Sequence, residues 1–244
     1  MRIAIVSGAS SGIGRCIAKE LDSLGLDELW IIGRSLEKLD SLSRELSTPS
    51  RVFQLDLTKE ESFTALIQEL SKGHSVEYLI VSAGVGYTGA FEKLSHTEIS
   101  NMTELNCTAL SLLTSVVLPY INKEGKILFL ASGAGFLPQP NFSVYAASKA
   151  YVISFARALR EELKERKIKV TAACPGPVDT DFFAGLSNVK EYKKRFLISP
   201  EDVARGAVLA VQKNKAIYVP TFSMKLLRFI AKILPTTWLL KFSK

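Results

Sequence analysis

Tyr145 and Lys149 stand four residues apart in the stretch NFSVYAASKAYVISFARALREEL, residues 141–163. A phenol has a reference pKa of about 10, so alone it is a weak proton donor or acceptor at neutral pH. A neighbouring ammonium favours the phenolate and lowers that pKa. On a helix the i, i+4 spacing puts both side chains on one face, one turn apart, so the two can form a tuned acid/base. Such a pair also occurs in ordinary helices, and its neighbours must decide. Ser132, in FLASGAG thirteen residues before Tyr145, carries a hydroxyl that could polarise a carbonyl beside the phenol. Asn106, in ELNCTAL, falls inside a long helical stretch. Asn is mildly unfavourable there, so its position invites a reason.

A second constellation lies near the start. VSGASSGIG, residues 6–14, places Gly8, Gly12 and Gly14 between a strand-like run and an amphipathic one. Glycines let a backbone turn tightly and approach a pyrophosphate, while the helix start offers free N–H groups and the positive end of its dipole. The next strand-like run ends IIGRS, with Gly33 and then Arg34. Dinucleotide folds that take NAD carry an acidic residue at this strand end. Here a guanidinium, able to pair with a ribose phosphate as a fork, points to NADP(H).

These groups need a frame. Strands are expected at 2–7, 28–32, 51–55, 77–82, 125–131, 168–174 and 216–219, and amphipathic helices near 12–24, 35–47, 59–72, 96–121, 143–166 and 200–212. The alternation predicts an α/β fold: one Rossmann-type, doubly wound parallel sheet of about seven strands with helices on both faces. Near-continuous apolar strands agree with burial on both sides. In such sheets ligands sit beyond the carboxyl ends of the strands, where every motif above falls. The expected division is a Rossmann-type catalytic domain over 1–220 and a basic amphipathic extension over 221–244.

The 244 residues, 47% hydrophobic and 23% charged, suit one such domain. Three scattered cysteines argue against a disulfide framework, and two histidines against a histidine metal site. The first strand begins at Arg2, which leaves no room for a targeting segment. A cytoplasmic protein, at the cytoplasmic face of a membrane if the tail binds one, is expected.

Five motifs in register resemble the short-chain dehydrogenase/reductase family over about residues 1–220. Ser7-Gly8-x-x-x-Gly12-x-Gly14 is similar to its T-G-x-x-x-G-x-G, and Val81-Ser82-Ala83-Gly84 keeps the last two residues of its N-N-A-G. Asp56 matches its Asp-containing turn, and CPGPVDTDF, residues 174–182, its Pro-Gly stretch. Asn106, Ser132, Tyr145 and Lys149 match its catalytic tetrad in order and spacing. The resemblance implies hydride transfer between a nicotinamide and a carbonyl carbon, with Tyr145 as general acid/base and Ser132 on the carbonyl oxygen. Lys149 would lower the Tyr pKa and hold the nicotinamide ribose, and Asn106 would seat a water. It implies cofactor contacts at Ser7, Gly8, Ser10, Ser11, Gly12, Ile13, Gly14, Arg34, Asp56, Leu57, Ala83, Gly84, Tyr145, Lys149, Pro175, Gly176, Val178 and Thr180. It also implies a homodimer or homotetramer paired through the helices around 96–121 and 143–166.

The segments 85–95, 133–142 and 181–198 are expected around the substrate. They offer Tyr87, Phe91, Phe136, Leu137, Phe142, Phe182, Phe183, Leu186, Tyr192 and Phe196, a lining for apolar ligands. Lys190, Lys193, Lys194 and Arg195 are placed to meet an anionic group or simply to face solvent. Beyond Asp202 no acidic residue follows, against eight basic ones. In the tail, Leu226, Phe229, Ile230, Ile233 and Leu234 form a helical apolar stripe flanked by Lys225, Arg228 and Lys232. Pro235 breaks it, and Trp238, Leu239, Leu240 and Phe242 follow. The segment 224–244 is either a peripheral membrane anchor or a lid or dimer contact packed on the enzyme. Charge confined to one apolar tail argues against nucleic acid. The expected function is an NADP(H)-dependent carbonyl reductase/alcohol dehydrogenase acting on a steroid or fatty carbonyl. A 3-oxoacyl-thioester reductase and a catalytically silent nucleotide-binding scaffold are the alternatives.

Overall fold

RIAIVS forms β1 (Arg2–Ser7), and its side chains divide between two helix layers. Ile3 and Ile5 enter one core cluster, Ala4 and Val6 the other, all with no exposed surface. A strand buried on both faces must be apolar at successive positions, which explains the unbroken aliphatic runs. The computed structural model describes residues 1–184 and 197–241. In it, β1 is followed by α1 (Gly12–Leu21), β2 (Glu28–Gly33), α2 (Leu36–Glu45), β3 (Ser50–Gln54), α3 (Glu60–Leu70) and β4 (Ser75–Val81). Then come α4 (His96–Thr103), α5 (Leu110–Val117), β5 (Ile121–Leu130), α6 (Ser143–Glu162), β6 (Lys169–Ala173), the single turn α7 (Asp181–Ala184) and α8 (Pro200–Gln212). β7 (Ile217–Tyr218), α9 (Phe222–Ile233) and α10 (Thr236–Lys241) complete the described chain.

The seven strands lie in the order β3-β2-β1-β4-β5-β6-β7, every neighbouring pair parallel. This is the Rossmann-type α/β sheet that the alternation predicts. Ile17, Leu21, Leu39 and Leu42 of α1 and α2, with Ala207 and Val211 of α8, cover one face. Leu66, Leu113, Val152 and Leu159 of α3, α5 and α6 cover the other. Each fully buried Leu or Ile contributes about 1.5–3 kcal/mol relative to exposure. The strand order reverses between β1 and β4, so connections leave in opposite directions and a crevice opens at their carboxyl ends.

Two expectations change. The single helix over 96–121 is instead α4, a π-helical stretch Glu104–Ala109, α5, and a 3₁₀ turn Leu118–Tyr120 that contains Pro119. β5 starts at Ile121 rather than at 125, with an irregular register against β4 between Val76 and Tyr78. In the tail, the Thr221 side chain accepts the Met224 N–H at 3.4 Å to start α9, and Met224 packs against the larger core cluster. The extension is therefore anchored on the sheet domain at its first turn.

Candidate active site

The glycine turn after β1 is shaped by contacts that leave no space for a Cβ. Gly8 has φ +68°, and a Cβ there would lie 2.8 Å from the Ala83 nitrogen. A Cβ on Gly14 would collide with the Gly8 carbonyl oxygen. The turn can therefore fold against the end of β4 only without side chains. Ser7 stitches the same two strands together. Its hydroxyl donates to the Ile80 carbonyl at 3.3 Å and accepts the Ser82 N–H at 3.1 Å. It is wholly buried and does not line the cleft. This corrects the expectation of a cofactor contact there: the hydroxyl is consumed by strand pairing.

The cleft above the sheet has a volume of about 1300 Å³. One wall is made by Gly8, Ser10, Ser11, Gly12, Ile13, Gly14, Arg34, Asp56, Leu57, Ala83 and Gly84, and the facing wall by Pro175, Gly176, Val178 and Thr180. Ser132, Tyr145 and Lys149 line it too. Apart from Ser7, every expected cofactor contact is on this surface. The N-terminus of α1 opens on it, and a Cβ on Gly12 would sit 3.3 Å from the Thr180 methyl, so bare backbone faces the cleft. These features fit a dinucleotide, with the pyrophosphate against the glycine turn. At the end of β2, Arg34 is exposed, and its carbonyl accepts from the Gln54 amide at 3.2 Å. Burial pushes the Asp56 carboxyl up. Hydrogen bonds from the Thr58 N–H at 3.0 Å and hydroxyl at 2.8 Å, with the Arg34 and Lys59 charges, outweigh this and hold it below its usual value.

At the other end Tyr145 occupies the first turn of α6, 7% exposed. The Phe142 ring stacks on it at 4.2 Å, and the Phe182 ring lies 5.6 Å away. The Ser132 hydroxyl lies beside the phenol and itself accepts the Ala134 N–H at 3.1 Å. Burial pushes the phenol up to about 12, with the Ser132 hydroxyl pulling the other way. Lys149 donates to the Leu130 carbonyl at 2.9 Å, and burial brings its ammonium down to about 8. Ser132 and Tyr145 both line the cleft, where a carbonyl oxygen could accept from both. The expected lowering of the phenol by Lys149 is not found: burial raises it, Ser132 alone opposes, and the ammonium donates to the Leu130 carbonyl instead.

Asn106 explains the break between α4 and α5. Its Oδ1 accepts the Val85 N–H at 2.9 Å, and its Nδ2 donates to the Val85 carbonyl at 2.8 Å and to the Ser148 hydroxyl at 3.0 Å. The π-helical turn accompanies a side chain aimed inward, a common association at functional positions. Asn106 has no exposed surface, so it stands behind the cleft wall. A Cβ on Gly84 would meet its Oδ1 at 3.0 Å and the Lys149 Nζ at 3.3 Å, which puts both groups against the same glycine.

Of the expected substrate lining, Leu137, Phe142 and Phe182 face the cleft. Tyr87, Phe91 and Phe136 do not line it: Phe91 is mostly exposed and Phe136 packs against the core. The Phe183 side chain, Leu186, Tyr192, Phe196, Lys190, Lys193, Lys194 and Arg195 lie outside the described residues. The side chains singled out for the lining omit Thr221, Ser223, Met224 and Leu227, which bring α9 into the cleft, and Lys93 and Gln139, which also line it. The i, i+3 spacing of Met224 and Leu227 was a usable signal of an inner helix face. Among the described residues, no group of three His, Cys, Asp or Glu could hold a metal ion.

The sequence profile described as short chain dehydrogenase matches residues 2–191. An uncharacterized short-chain type dehydrogenase/reductase of Sinorhizobium fredii is 35% identical over 211 residues, 83% of this chain and 82% of that protein. The human protein named inactive hydroxysteroid dehydrogenase-like protein 1 is 33% identical over 227 residues, 89% of this chain and 68% of that one. Among solved structures, a 3-ketoacyl-(acyl-carrier-protein) reductase of Brucella melitensis complexed with NADH has a TM-score of 0.80 at 26% identity, covering 89% of this chain and 96% of that one. The profile match spans the glycine turn and all four residues of the Asn-Ser-Tyr-Lys set, and the chain belongs to the short-chain dehydrogenase/reductase family.

Proposed function

We propose that the protein is an NADP(H)-dependent carbonyl reductase/alcohol dehydrogenase for an apolar substrate of steroid or fatty type. One observation carries this reading. Tyr145, between the Phe142 and Phe182 rings, and Ser132 line the same cleft as the glycine cradle. When bound, the nicotinamide would exchange a hydride with the carbonyl carbon. Tyr145 gives its proton to the carbonyl oxygen, and Ser132 hydrogen-bonds that oxygen as charge develops. Lys149, charged at neutral pH, holds ribose hydroxyls and supports the phenol. Asn106 positions the Gly84–Val85 turn against α6, and a water would have to share its Oδ1 with Val85. Phe142, Phe182, Leu137 and Met224 exclude water around the reacting oxygen.

Arg34, and the lack of a carboxylate at the end of β2, support NADP(H) over NAD(H). We read 1–220 as the catalytic domain and 221–244 as an extension that walls the cleft and touches a membrane peripherally. A homodimer or homotetramer in the cytoplasm fits the exposed Leu112 and Tyr151 on α5 and α6, and no nucleic acid is expected. Loss of NADPH absorbance with a panel of steroid and fatty ketones tests the reaction. The Brucella relative keeps 3-oxoacyl thioesters as a second substrate class, and the human relative's name keeps a silent nucleotide-binding scaffold as the reading if no carbonyl turns over.

A further inference from the structure

The helix that walls the cleft has a second face. α9 turns Met224 and Leu227 inward to the cleft. At i, i+4, i+7 and i+11 it turns Phe222, Leu226, Phe229 and Ile233 outward, 80, 48, 61 and 61% exposed. Leu234 and Trp238 continue the exposed apolar surface. Lys225 and Lys232 are exposed beside the stripe, and no carboxylate follows Asp202. Such a patch marks an interaction site. A two-fold contact with a second copy would bring Lys225 and Lys232 against the same cations, with no acid on the element to compensate. An anionic lipid surface supplies both what the stripe and what the lysines need. No helix among the described residues is long and apolar enough to cross a membrane, so the contact is interfacial.

We propose that α9 seats the mouth of the cleft on an anionic lipid surface, outer face in the lipid and inner face in the cleft, so that the apolar substrate enters along this helix from the bilayer. The substrate half rests on the function proposed above; the lipid half stands without it.

The test uses the full chain and the double variant Phe229→Glu/Ile233→Glu, both side chains lying outside the cleft. In flotation, wild type rises with phosphatidylcholine/phosphatidylserine vesicles far more than with phosphatidylcholine alone, and the variant loses about tenfold or more of that binding. The chain has two tryptophans, and Trp30 is fully buried. Brominated lipids therefore quench Trp238 in wild type, and Trp238→Phe removes the quenching. The variant reduces a vesicle-embedded long-chain ketone several-fold more slowly than wild type, and a small water-soluble ketone at an unchanged rate. Should the double variant aggregate, Phe229→Ser alone, with the same readouts, decides. Wild type that stays down with both vesicles overturns the proposal. So does a variant that binds vesicles equally, or one whose only change is a smaller mass in sedimentation, which would make this face a contact between copies. Should no ketone turn over in wild type, the function reading fails while flotation and quenching still decide the lipid contact.

Discussion

The Lys149 ammonium lies 5.6 Å from the centre of the Tyr145 ring and donates its hydrogen bond past it, to the Leu130 carbonyl at 2.9 Å. The two groups thus share a buried site without sharing a proton. Burial moves them in opposite directions, the phenol up to about 12 and the ammonium down to about 8. At neutral pH the phenol keeps its proton, which suits donation to a forming alkoxide.

A pH profile follows. Reduction, followed as kcat/KM, should be level through neutrality and fall above a pH of about 8, as Lys149 loses its charge. Lys149→Arg keeps a cation and should move that limb upward. The stability effect has the opposite sense. Between about 8 and the ordinary value of 10.5 the unfolded chain holds a proton that the native chain has released, so this group's contribution to stability rises with pH there. The stability gap between Lys149→Met and wild type, from urea midpoints, should narrow over that window. A constant gap would contradict the burial of a charged Lys149.

Arg34 should decide between the two nicotinamide cofactors. Arg34→Asp is expected to weaken NADPH binding by about tenfold to a hundredfold, the worth of a charge-assisted bond, and to leave or improve NADH binding. Fluorescence titration of both cofactors measures this. Equal affinities in wild type would remove the NADP(H) assignment.

Asn106→Ala strands the Val85 N–H and carbonyl in a half-buried place. The cost should be about 1–3 kcal/mol in urea unfolding, with a larger loss in kcat than in NADPH affinity, because the turn it holds lies against Gly84 and Lys149. A variant as stable as wild type would mean that Val85 finds other partners.

Met224 and Gly133 should behave as a coupled pair. A Cβ on Gly133 would collide with the Met224 methyl, the far end of a flexible side chain. Gly133→Ala should therefore push Met224 into the cleft and raise KM for bulky ketones. Met224→Ala should relieve it in the double variant, giving a non-additive cycle. Additive effects would show that α9 does not wall the substrate site.

Much of this was legible in the residues. Strand runs buried on both faces must be apolar throughout, and so β1, β2 and β4 stood out. The glycine turn and the Ser132, Tyr145 and Lys149 positions were legible because their spacing reflects short-range geometry, one helical turn or one strand end. Three things were not. Asn106 reads as a helix residue until the π-helical turn shows what it bonds, and that bond reaches across the fold to Val85. The tail's apolar stripe was visible, but which face meets the protein depends on the sheet's position. Only the fold shows Met224 and Leu227 turned in and Phe222 turned out. Ser7 is the third: a hydroxyl beside a cofactor motif reads as a ligand contact, and strand pairing holds it instead.

The most direct test of the central claim is NADPH consumption by wild type and Tyr145→Phe, with a panel of steroid and fatty ketones and with NADPH affinity measured for both. Turnover on at least one apolar ketone is expected, with a loss of about 10²–10⁴-fold in the variant and unchanged NADPH binding. Turnover that survives the substitution would contradict Tyr145 as the general acid.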